Sequence, residues 1–328
     1  MSSSMLQLSE TTDYVAWDAW VDQSAQGTIF SNSRFLRSLN TRFRLFTVLD
    51  RHKVVALLSA IEDEAGNIVH FPFTPYQGIL FLHDAPLLPR QKNLDEFRIA
   101  EFIVGELTRR YRHMVLPFSW NFEDIRPFLW HNYHADAAAH FTAQPRYTAV
   151  LDLKSMDESR YPAQAQARRR RELKKSSVFT INGKASPDDF SRLYTATFAR
   201  QDITLEHNAL ALVQSIISQA VAQGYGRLSS CDTSAGPASM CLFLYDKTRA
   251  YYLFGANEPA QRNTGAATRL MFDNIYEARR RGLQEFDFVG VNSPDRGDFK
   301  LSFNPELKLY FELSYAATDA SANTTDGA

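Results

Sequence analysis

The sequence predicts an α/β (α+β) protein with two similar halves, each a mixed, mostly antiparallel sheet flanked by helices. Its 328 residues are enough for two domains, and 45% hydrophobic with 22% charged residues is the composition of an average soluble globular protein. Segments with the alternation and aromatic content of strands lead into segments with helical spacing, and this order occurs twice along the chain.

Strand-like segments, one long helix and a short final strand make up the first half. Turn residues cluster at Glu62–Asn67 and at Pro75–Gly78, and apolar residues recur at helical spacing from Phe97 to Leu107. Strands are predicted within Phe43–Ala60 (two, joined at Asp50–Lys53) and at Ile68–Phe73, Ile79–Leu82 and Met114–Leu116.

The second half repeats this order. Ser186-Pro187-Asp188 is a cap-like helix start, and Gly282 suits the position just after a helix ends. Helices are predicted at Phe190–Phe198, Ala209–Ala222 and Gly265–Arg281, and strands at Leu228–Cys231, Ser239–Tyr245, Ala250–Gly255, Phe286–Gly290 and Leu307–Ala316.

The two halves are expected to meet within residues 140–153. We assign 1–146 to the first half and 147–318 to the second, and the polar residues 319–328 to a disordered tail. The order of elements is the only repeat signal, since residue-level similarity between the halves is faint.

Charge, cysteines and hydropathy bound the cellular setting. A net charge of −1 argues neither for nor against nucleic acid, so any polyanion contact requires a local patch. Two cysteines, Cys231 and Cys241, lack disulfide-framework or metal-site spacing and suit a reducing compartment. Neither a signal-peptide pattern nor an apolar run of about 20 residues is present, so we expect a cytoplasmic protein without a membrane span.

A candidate anion-binding loop lies between a predicted strand and a predicted helix, at Arg262–Ala267. Small residues let backbone N–H groups at a helix start approach an anion, and the helix dipole favours negative charge there. A glycine-containing turn that only starts a helix would leave the same R-x-x-G-x-A spacing. The candidate anion-binding residues of this loop are Arg262, Thr264, Gly265, Ala266 and Ala267.

A second candidate segment runs from Phe286 to Phe303. A short aromatic strand delivers Asp287, and a polar loop containing Asn292 then returns through Phe299 and Lys300. If the phenylalanines pack inward, the Lys300 ammonium is fixed near the strand end, where it could stabilise an oxyanion or bind a phosphate. The alternative is an ordinary surface lysine.

Two further segments are candidates for binding a ligand. The basic run Arg168–Lys175 could bind phosphates through Arg168, Arg171 and Lys174, although a solvated helix face with Glu172 as its only counter-charge would show the same pattern. Tyr76 could donate a hydrogen bond to a sugar or peptide carbonyl, or could belong to a simple Pro-Gly turn.

We expect no metal site. His131, His134 and His140 lie close to Asp136 in the sequence, but their alanine-rich surroundings favour surface or core positions. G-x-S-x-G is absent from the sequence.

The second half resembles a known family. FDFVG…FKLSFNPEL, with the YYLFGAN strand and the GAATRLMFDNIYEARRRG helix before it, resembles the C-terminal signature of the FemAB-like branch of the GNAT acyltransferase superfamily. This branch includes peptidoglycan-bridge aminoacyl transferases and stand-alone acyltransferases of polysaccharide loci. The resemblance is strongest over Arg168–Tyr310, and in the first half only Trp17, Gly27–Ser31 and Pro72–Leu80 share it.

The resemblance implies two GNAT-like halves with a cleft at their junction. The lysine of the family's F-K pair, implicated in transition-state stabilisation, corresponds to Lys300. The R-x-x-G-x-A loop implies a site for the pyrophosphate of coenzyme A, so its residues are the candidates for binding the donor. The R-x-x-R-x-x-L-K-K helix corresponds to Arg168–Lys175, and Tyr76 falls in a turn near the family's acceptor pocket. The candidate acceptor-binding residues are Tyr76, Arg168, Arg171, Lys174, Asn292 and Phe299.

The expected function is N-acyl transfer from acyl-CoA, as a donor substrate without a tightly bound cofactor, to an amine of a cell-envelope or polysaccharide precursor. The acceptor is a small molecule or is linked to a lipid or nucleotide. Asp287 or Asp298 could act as general base, or water could take the proton. The alternatives are transfer from an aminoacyl-tRNA donor and a non-catalytic module that binds glycans or nucleotide sugars. The acyl group, the acceptor and the oligomeric state stay open.

Overall fold

The computed structural model describes residues 6–135, 138–199 and 207–318. These residues form two structural units. Unit 1 contains the chain up to Ser33, Thr41–Arg146 and the chain from Tyr310, and unit 2 contains Arg34–Asn40 and Tyr147–Leu309. The chain passes from one unit to the other within a strand near residue 146 and again within the last strand.

The elements up to residue 152 include one short 3₁₀ turn, Ile29–Ser31. The strands and helices are β1 (Leu6–Glu10), α1 (Tyr14–Val21), α2 (Ser33–Ser38), β2 (Phe43–Asp50), β3 (Lys53–Ile61), β4 (Gly78–Phe81), α3 (Pro89–Arg110), β5 (His113–Pro117), α4 (Arg126–Leu129) and β6 (Phe141–Asp152).

The elements after residue 152 include a 3₁₀ turn at Pro259–Gln261. The helices and strands are α5 (Tyr161–Gln164), α6 (Ala167–Lys175), β7 (Thr180–Asn182), α7 (Pro187–Ala199), α8 (His207–Ala222), β8 (Gly226–Thr233), β9 (Gly236–Tyr245), β10 (Arg249–Asn257), α9 (Ala266–Arg280), β11 (Glu285–Asp287), α10 (Pro294–Leu301) and β12 (Glu306–Ala316).

Unit 1 contains an antiparallel sheet in the order β1-β2-β3-β4. The side chains alternate along β3, so Leu58 and its neighbours on that face pack with Ile103 and Leu107 of α3 in one apolar core. In the same unit, β5 pairs antiparallel with β12, with Leu116 opposite Leu313 in that core.

Unit 2 contains strands in the order β6-β11-β10-β9-β8-β7. Its pairs are antiparallel except β10 with β11, which run parallel from Arg249 opposite Glu285 to Tyr251 opposite Asp287. Beyond that point β11 ends while β10 continues to Asn257. The two strands therefore part, and the chain after Asp287 leaves the sheet beside the part of β10 that continues past the end of β11.

The core of unit 2 lies between this sheet and α9. Leu270, Phe272 and Ile275 on the buried face of α9 pack with Phe243 and Phe286 of the sheet. Burying large aliphatic and aromatic side chains in this way stabilises the fold by about 1.5–3 kcal/mol each. This packing fixes the position of the start of α9 relative to the ends of β10 and β11.

The predicted α/β (α+β) class is confirmed, while three element predictions are wrong. Ile68–Phe73 forms no strand beyond isolated bridges at Ile68, because Pro72 lacks an N–H and Phe73 has a φ of 64°. The strand predicted to Gly290 ends at Asp287, because Val289 and Gly290 have φ values of 52° and 67°. The predicted polar loop before Phe299 is helix α10. The predicted tail, 319–328, lies outside the described residues.

Within the described ranges, none of the helices combines the length and the apolar character that crossing a membrane requires.

Candidate functional site

Lys300 lies in the last turn of α10 with its ammonium directed at the end of β11. Its Nζ donates to the backbone oxygens of Val289 (2.5 Å) and Gly290 (2.8 Å). The ring of Tyr252 on β10 lies 5.5 Å from the same Nζ, which is within the range of a cation–π contact. Two carbonyls and an aromatic face therefore hold one cation where β10 and β11 part.

The backbone turn that receives Lys300 is held by a buried carboxylate. Asp287 accepts hydrogen bonds through Oδ1 from the Thr148 hydroxyl (2.5 Å) and from the Val289 N–H (2.8 Å). The Gly290 N–H in turn donates to Thr148 Oγ1 (3.1 Å). These bonds stabilise the left-handed conformation of Val289, which costs a β-branched residue about 1–3 kcal/mol.

The environment of Lys300 lowers its pKa to about 8. Burial is the main cause, and the positive charge of Arg296 adds to it, while the negative charge of Asp287 opposes both. The amine can therefore change its protonation state within the range in which enzymes work. An ammonium group that is held at a fixed place can stabilise an oxyanion.

Asp287 has the geometry of a positioning residue. It is completely buried, and the contacts of its Oδ1 are with Thr148 and Val289. These contacts do not fit the predicted role of a base that meets the acceptor amine. Asp298 is exposed on α10 and keeps its place as the alternative base.

Two residues predicted to bind the acceptor have partners inside unit 2. The Asn292 amide bonds the backbone of Tyr147 twice, accepting from its N–H (2.7 Å) and donating to its carbonyl (3.1 Å). Phe299 is partly buried, packs edge-on against Phe303 and lies 5.0 Å below the guanidinium carbon of Arg169. Asn292 and Phe299 therefore hold neighbouring residues in place through these contacts.

The loop before α9 brings its predicted residues to the helix start. Gly265 has a φ of 89°, and a Cβ there would lie 2.7 Å from the backbone oxygen of Glu172 on α6, so only glycine fits. The Thr264 hydroxyl donates to the Gln261 carbonyl (2.6 Å), and Arg262 is exposed. The buried Ala266 and the partly exposed Ala267 then begin the helix.

Helix α6 separates its arginines into one buried and several exposed side chains. Arg168, Arg171 and Lys174 are exposed, as an anion-binding face requires. Arg169 is only 7% exposed and points inward, where Nη1 donates to the Thr268 hydroxyl of α9 (2.9 Å). Lys175 at the end of α6 donates to the Asn263 carbonyl (3.0 Å) in the loop before α9.

Sequence reasoning missed Arg169, Thr268, Tyr252 and Thr148, which complete the surroundings of the predicted residues. The one available signal was Glu172, the single acidic residue of the basic run. Its carboxylate contacts Arg168 (2.9 Å), Arg169 (2.9 Å) and the Thr268 hydroxyl (2.5 Å).

The predicted role of Tyr76 as an exposed hydrogen-bond donor does not agree with its burial. Tyr76 belongs to unit 1, is 1% exposed, and packs edge-on against Phe30, Trp120 and Tyr310 at 5.1–5.8 Å between ring centroids. Large aromatic side chains in such contacts belong to a core. Tyr76 is therefore a packing residue of unit 1.

The remaining candidates show no further site. Burial lowers the pKa of His131, and His140 adds to this effect, whereas Asp136 lies outside the described residues. Across residues 6–135, 138–199 and 207–318, no three His, Cys, Asp or Glu side chains are grouped so that they could hold a metal ion. Burial raises the pKa of both thiols, Cys231 and Cys241, to about 12.

A protein-family model matches part of the chain. Residues 163–301, which contain the α9 loop, the end of β11 and Lys300, match the family model described as an acetyltransferase (GNAT) domain. This part of the chain is therefore similar to a GNAT acetyltransferase domain, and Thr148 and Tyr147 of the site described above lie outside the match. A search of curated proteins finds no match.

Solved structures extend the likeness to the whole chain. FemX shares 12% identity with a TM-score of 0.66, covering 93% of this chain and 96% of its own. A tandem GNAT protein from the clavulanic acid biosynthesis pathway shares 13% identity at 0.53 (97% and 100%), and L-PGS from Bacillus licheniformis shares 12% at 0.50 (95% and 94%). These likenesses concern the fold, which is that of tandem GNAT proteins and is consistent with the predicted FemAB-like branch.

Proposed function

We propose that this protein is an N-acyltransferase that moves an acyl group from acyl-CoA to a primary amine of a cell-envelope or polysaccharide precursor. The observation that carries the proposal is Lys300, whose ammonium is fixed by two successive carbonyls inside the part of the chain that is similar to a GNAT domain. The acyl-CoA donor and the two buried free thiols suit the cytoplasm.

The geometry leaves Lys300 one donor for the substrate. An ammonium carries three N–H groups, and Val289 and Gly290 accept two of them. In acyl transfer the amine attacks the thioester carbonyl, and its oxygen becomes an oxyanion in the tetrahedral intermediate. The third N–H can donate to that oxygen, a type of contact that contributes about 3–4 kcal/mol in other enzymes. The C–S bond then breaks, the sulfur leaves as a thiolate, and the attacking nitrogen loses its proton to Asp298 or to water.

Support for a coenzyme A donor comes from the start of α9. Gly265 and the alanines after it present backbone N–H groups at the positive end of the helix dipole, and Arg262 is exposed beside them. If acyl-CoA bound there through its diphosphate, its acyl chain would lie close to the part of β10 that continues past the end of β11. The thioester could then reach the region of Lys300.

The acceptor class rests on the resemblance to FemAB-like proteins and on the exposed positive side chains of α6. Arg168, Arg171 and Lys174 suit a precursor that carries phosphate through a lipid or nucleotide link.

A second candidate is transfer from aminoacyl-tRNA, which the same basic face favours. RNA binding through exposed cations would weaken steeply with salt, whereas a small thioester would depend on salt only weakly. A non-catalytic binding module is the third reading. A binding module has no turnover, so replacing Lys300 would remove no activity.

The test of the donor is calorimetric titration of the purified protein with acetyl-CoA and longer acyl-CoAs. We expect saturable binding that Arg262→Ala weakens about tenfold or more, whereas Arg280→Ala, an exposed arginine at the far end of the same helix, leaves it unchanged. If no acyl-CoA binds, this donor is wrong, and a salt-dependent titration with aminoacyl-tRNA decides between the other two readings.

A further inference from the structure

The start of α9 already has an anion beside it, supplied by the chain itself. Glu172 of α6 places its carboxylate at the third residue of α9, where Oε2 accepts the Thr268 hydroxyl proton (2.5 Å). The backbone of α6 also lies close to the start of α9, since the Glu172 carbonyl oxygen is 2.7 Å from the place where a Cβ on Gly265 would be. A carboxylate at this end of a helix is favoured by the same dipole that favours phosphate.

The cations around Glu172 form a pocket that surrounds an anion on several sides. Arg168 Nε contacts Oε1 at 2.9 Å, and Arg169 contacts both oxygens, Oε2 from Nη1 at 2.9 Å and Oε1 from Nη2 at 3.3 Å. Together with the Thr268 hydroxyl, these groups are the donors that recognise phosphate oxygens in proteins. The Glu172 side chain is 21% exposed, so its carboxylate is partly accessible to solvent.

Arg169 shows that the carboxylate does not satisfy the pocket completely. Its side chain is 8% exposed and its Nε–H is buried without a hydrogen-bond partner. A buried guanidinium N–H without an acceptor is costly, and an acceptor with more oxygens than a carboxylate could supply the missing bond. A phosphate group has more oxygens than the carboxylate that it would replace.

We infer that Glu172 is an internal competitor for the diphosphate of the donor, and that the donor binds only when this carboxylate leaves the α9 start. The inference rests on the proposed function, because that function assigns a diphosphate-bearing donor to this loop. Glu172 then sets donor specificity by lowering the affinity for any ligand whose phosphate competes with it. Ligands without phosphate do not experience this competition.

The test is Glu172→Gln, which keeps the shape and the hydrogen-bond acceptor and removes the charge. The matched control is Glu277→Gln, because Glu277 is 24% exposed and pairs with arginines at the other end of α9. Binding of coenzyme A, inorganic pyrophosphate and acetyl-pantetheine is measured by calorimetry at constant ionic strength. Thermal unfolding with each ligand provides a second readout, which also serves if free Glu172→Gln is unstable.

We expect Glu172→Gln to bind coenzyme A and pyrophosphate at least tenfold more tightly than wild type, with acetyl-pantetheine and the control variant unchanged. The unfolding temperature of Glu172→Gln should also rise more with pyrophosphate than that of wild type. Equal or weaker binding of both phosphate ligands by the variant overturns the inference and leaves the proposed function standing. Tighter pyrophosphate binding without any coenzyme A binding supports the inference and overturns the proposed donor. If neither ligand binds either protein, both are wrong.

Discussion

The titration of Lys300 should make activity and stability change in opposite directions as the pH rises. The ammonium is the form that can donate to an oxyanion, and its pKa is about 8. At pH 8 about half of the Lys300 side chain is protonated and at pH 9 only about a tenth, so the acyl-transfer rate should fall about fivefold between pH 8 and pH 9.

Stability should rise over the same range. The pKa of Lys300 in the folded protein lies below its ordinary value of 10.5, so between about pH 8 and 10.5 the unfolded chain binds more protons than the folded one. Raising the pH through this window therefore favours folding. The shift corresponds to about 3 kcal/mol as an upper limit, because the side chain is partly exposed and solvent reduces the effect.

The assay pairs kcat/KM with the free energy of unfolding in the same buffers, using an acceptor amine whose own pKa lies well below that of Lys300. Lys300→Ala should abolish both pH effects, while Lys184→Ala, an exposed lysine of the same unit, should leave both in place. A rate that stays level through pH 9 would contradict the assigned role. A rate that falls together with stability would attribute the loss to unfolding.

Two structural predictions complete the set. Gly265→Ala should destabilise the protein by about 2–4 kcal/mol in chemical denaturation, since it adds a clash with the Glu172 carbonyl to the cost of a positive φ. The control is Gly224→Ala, which should cost only about 1 kcal/mol because Gly224 has a φ of 74° with open space around it. Equal costs for the two variants would contradict the close approach of α6 to Gly265. Thr148→Val should lower the free energy of unfolding by about 1–3 kcal/mol, because it removes a buried hydrogen-bond donor to Asp287. It should also shift the pH at which activity declines. An unchanged pH profile would show that the turn does not position Lys300.

Local patterns sufficed to predict most strands and the four longest helices, α3, α7, α8 and α9. The strands β2 and β3 are continuous runs of mostly apolar residues, and apolar residues recur at helical spacing in α3 and α9. Both patterns can be recognised in the sequence without knowledge of distant partners. The strand predicted at Ile68–Phe73 failed because backbone conformation at Pro72 and Phe73 overrode apolar content.

The candidate site could be predicted only in part. Lys300 and the Gly265 loop carry recognisable spacing, but their partners come from distant parts of the chain. Thr148 reaches Asp287 across 139 positions, and Glu172 reaches Thr268 across 96. The inward direction of Arg169, in a run of four arginines that look alike, depends on how α6 packs against α9 and not on residue type.

The most direct test of the central claim is a comparison of wild type and Lys300→Ala for release of coenzyme A from acetyl-CoA in the presence of amine acceptors, with donor binding measured on the same samples. An acyltransferase that uses this ammonium should lose about a hundredfold or more in kcat, while the dissociation constant for acetyl-CoA changes by about twofold or less. Full turnover by Lys300→Ala would contradict the account, and so would a loss of activity that follows entirely from a loss of donor binding.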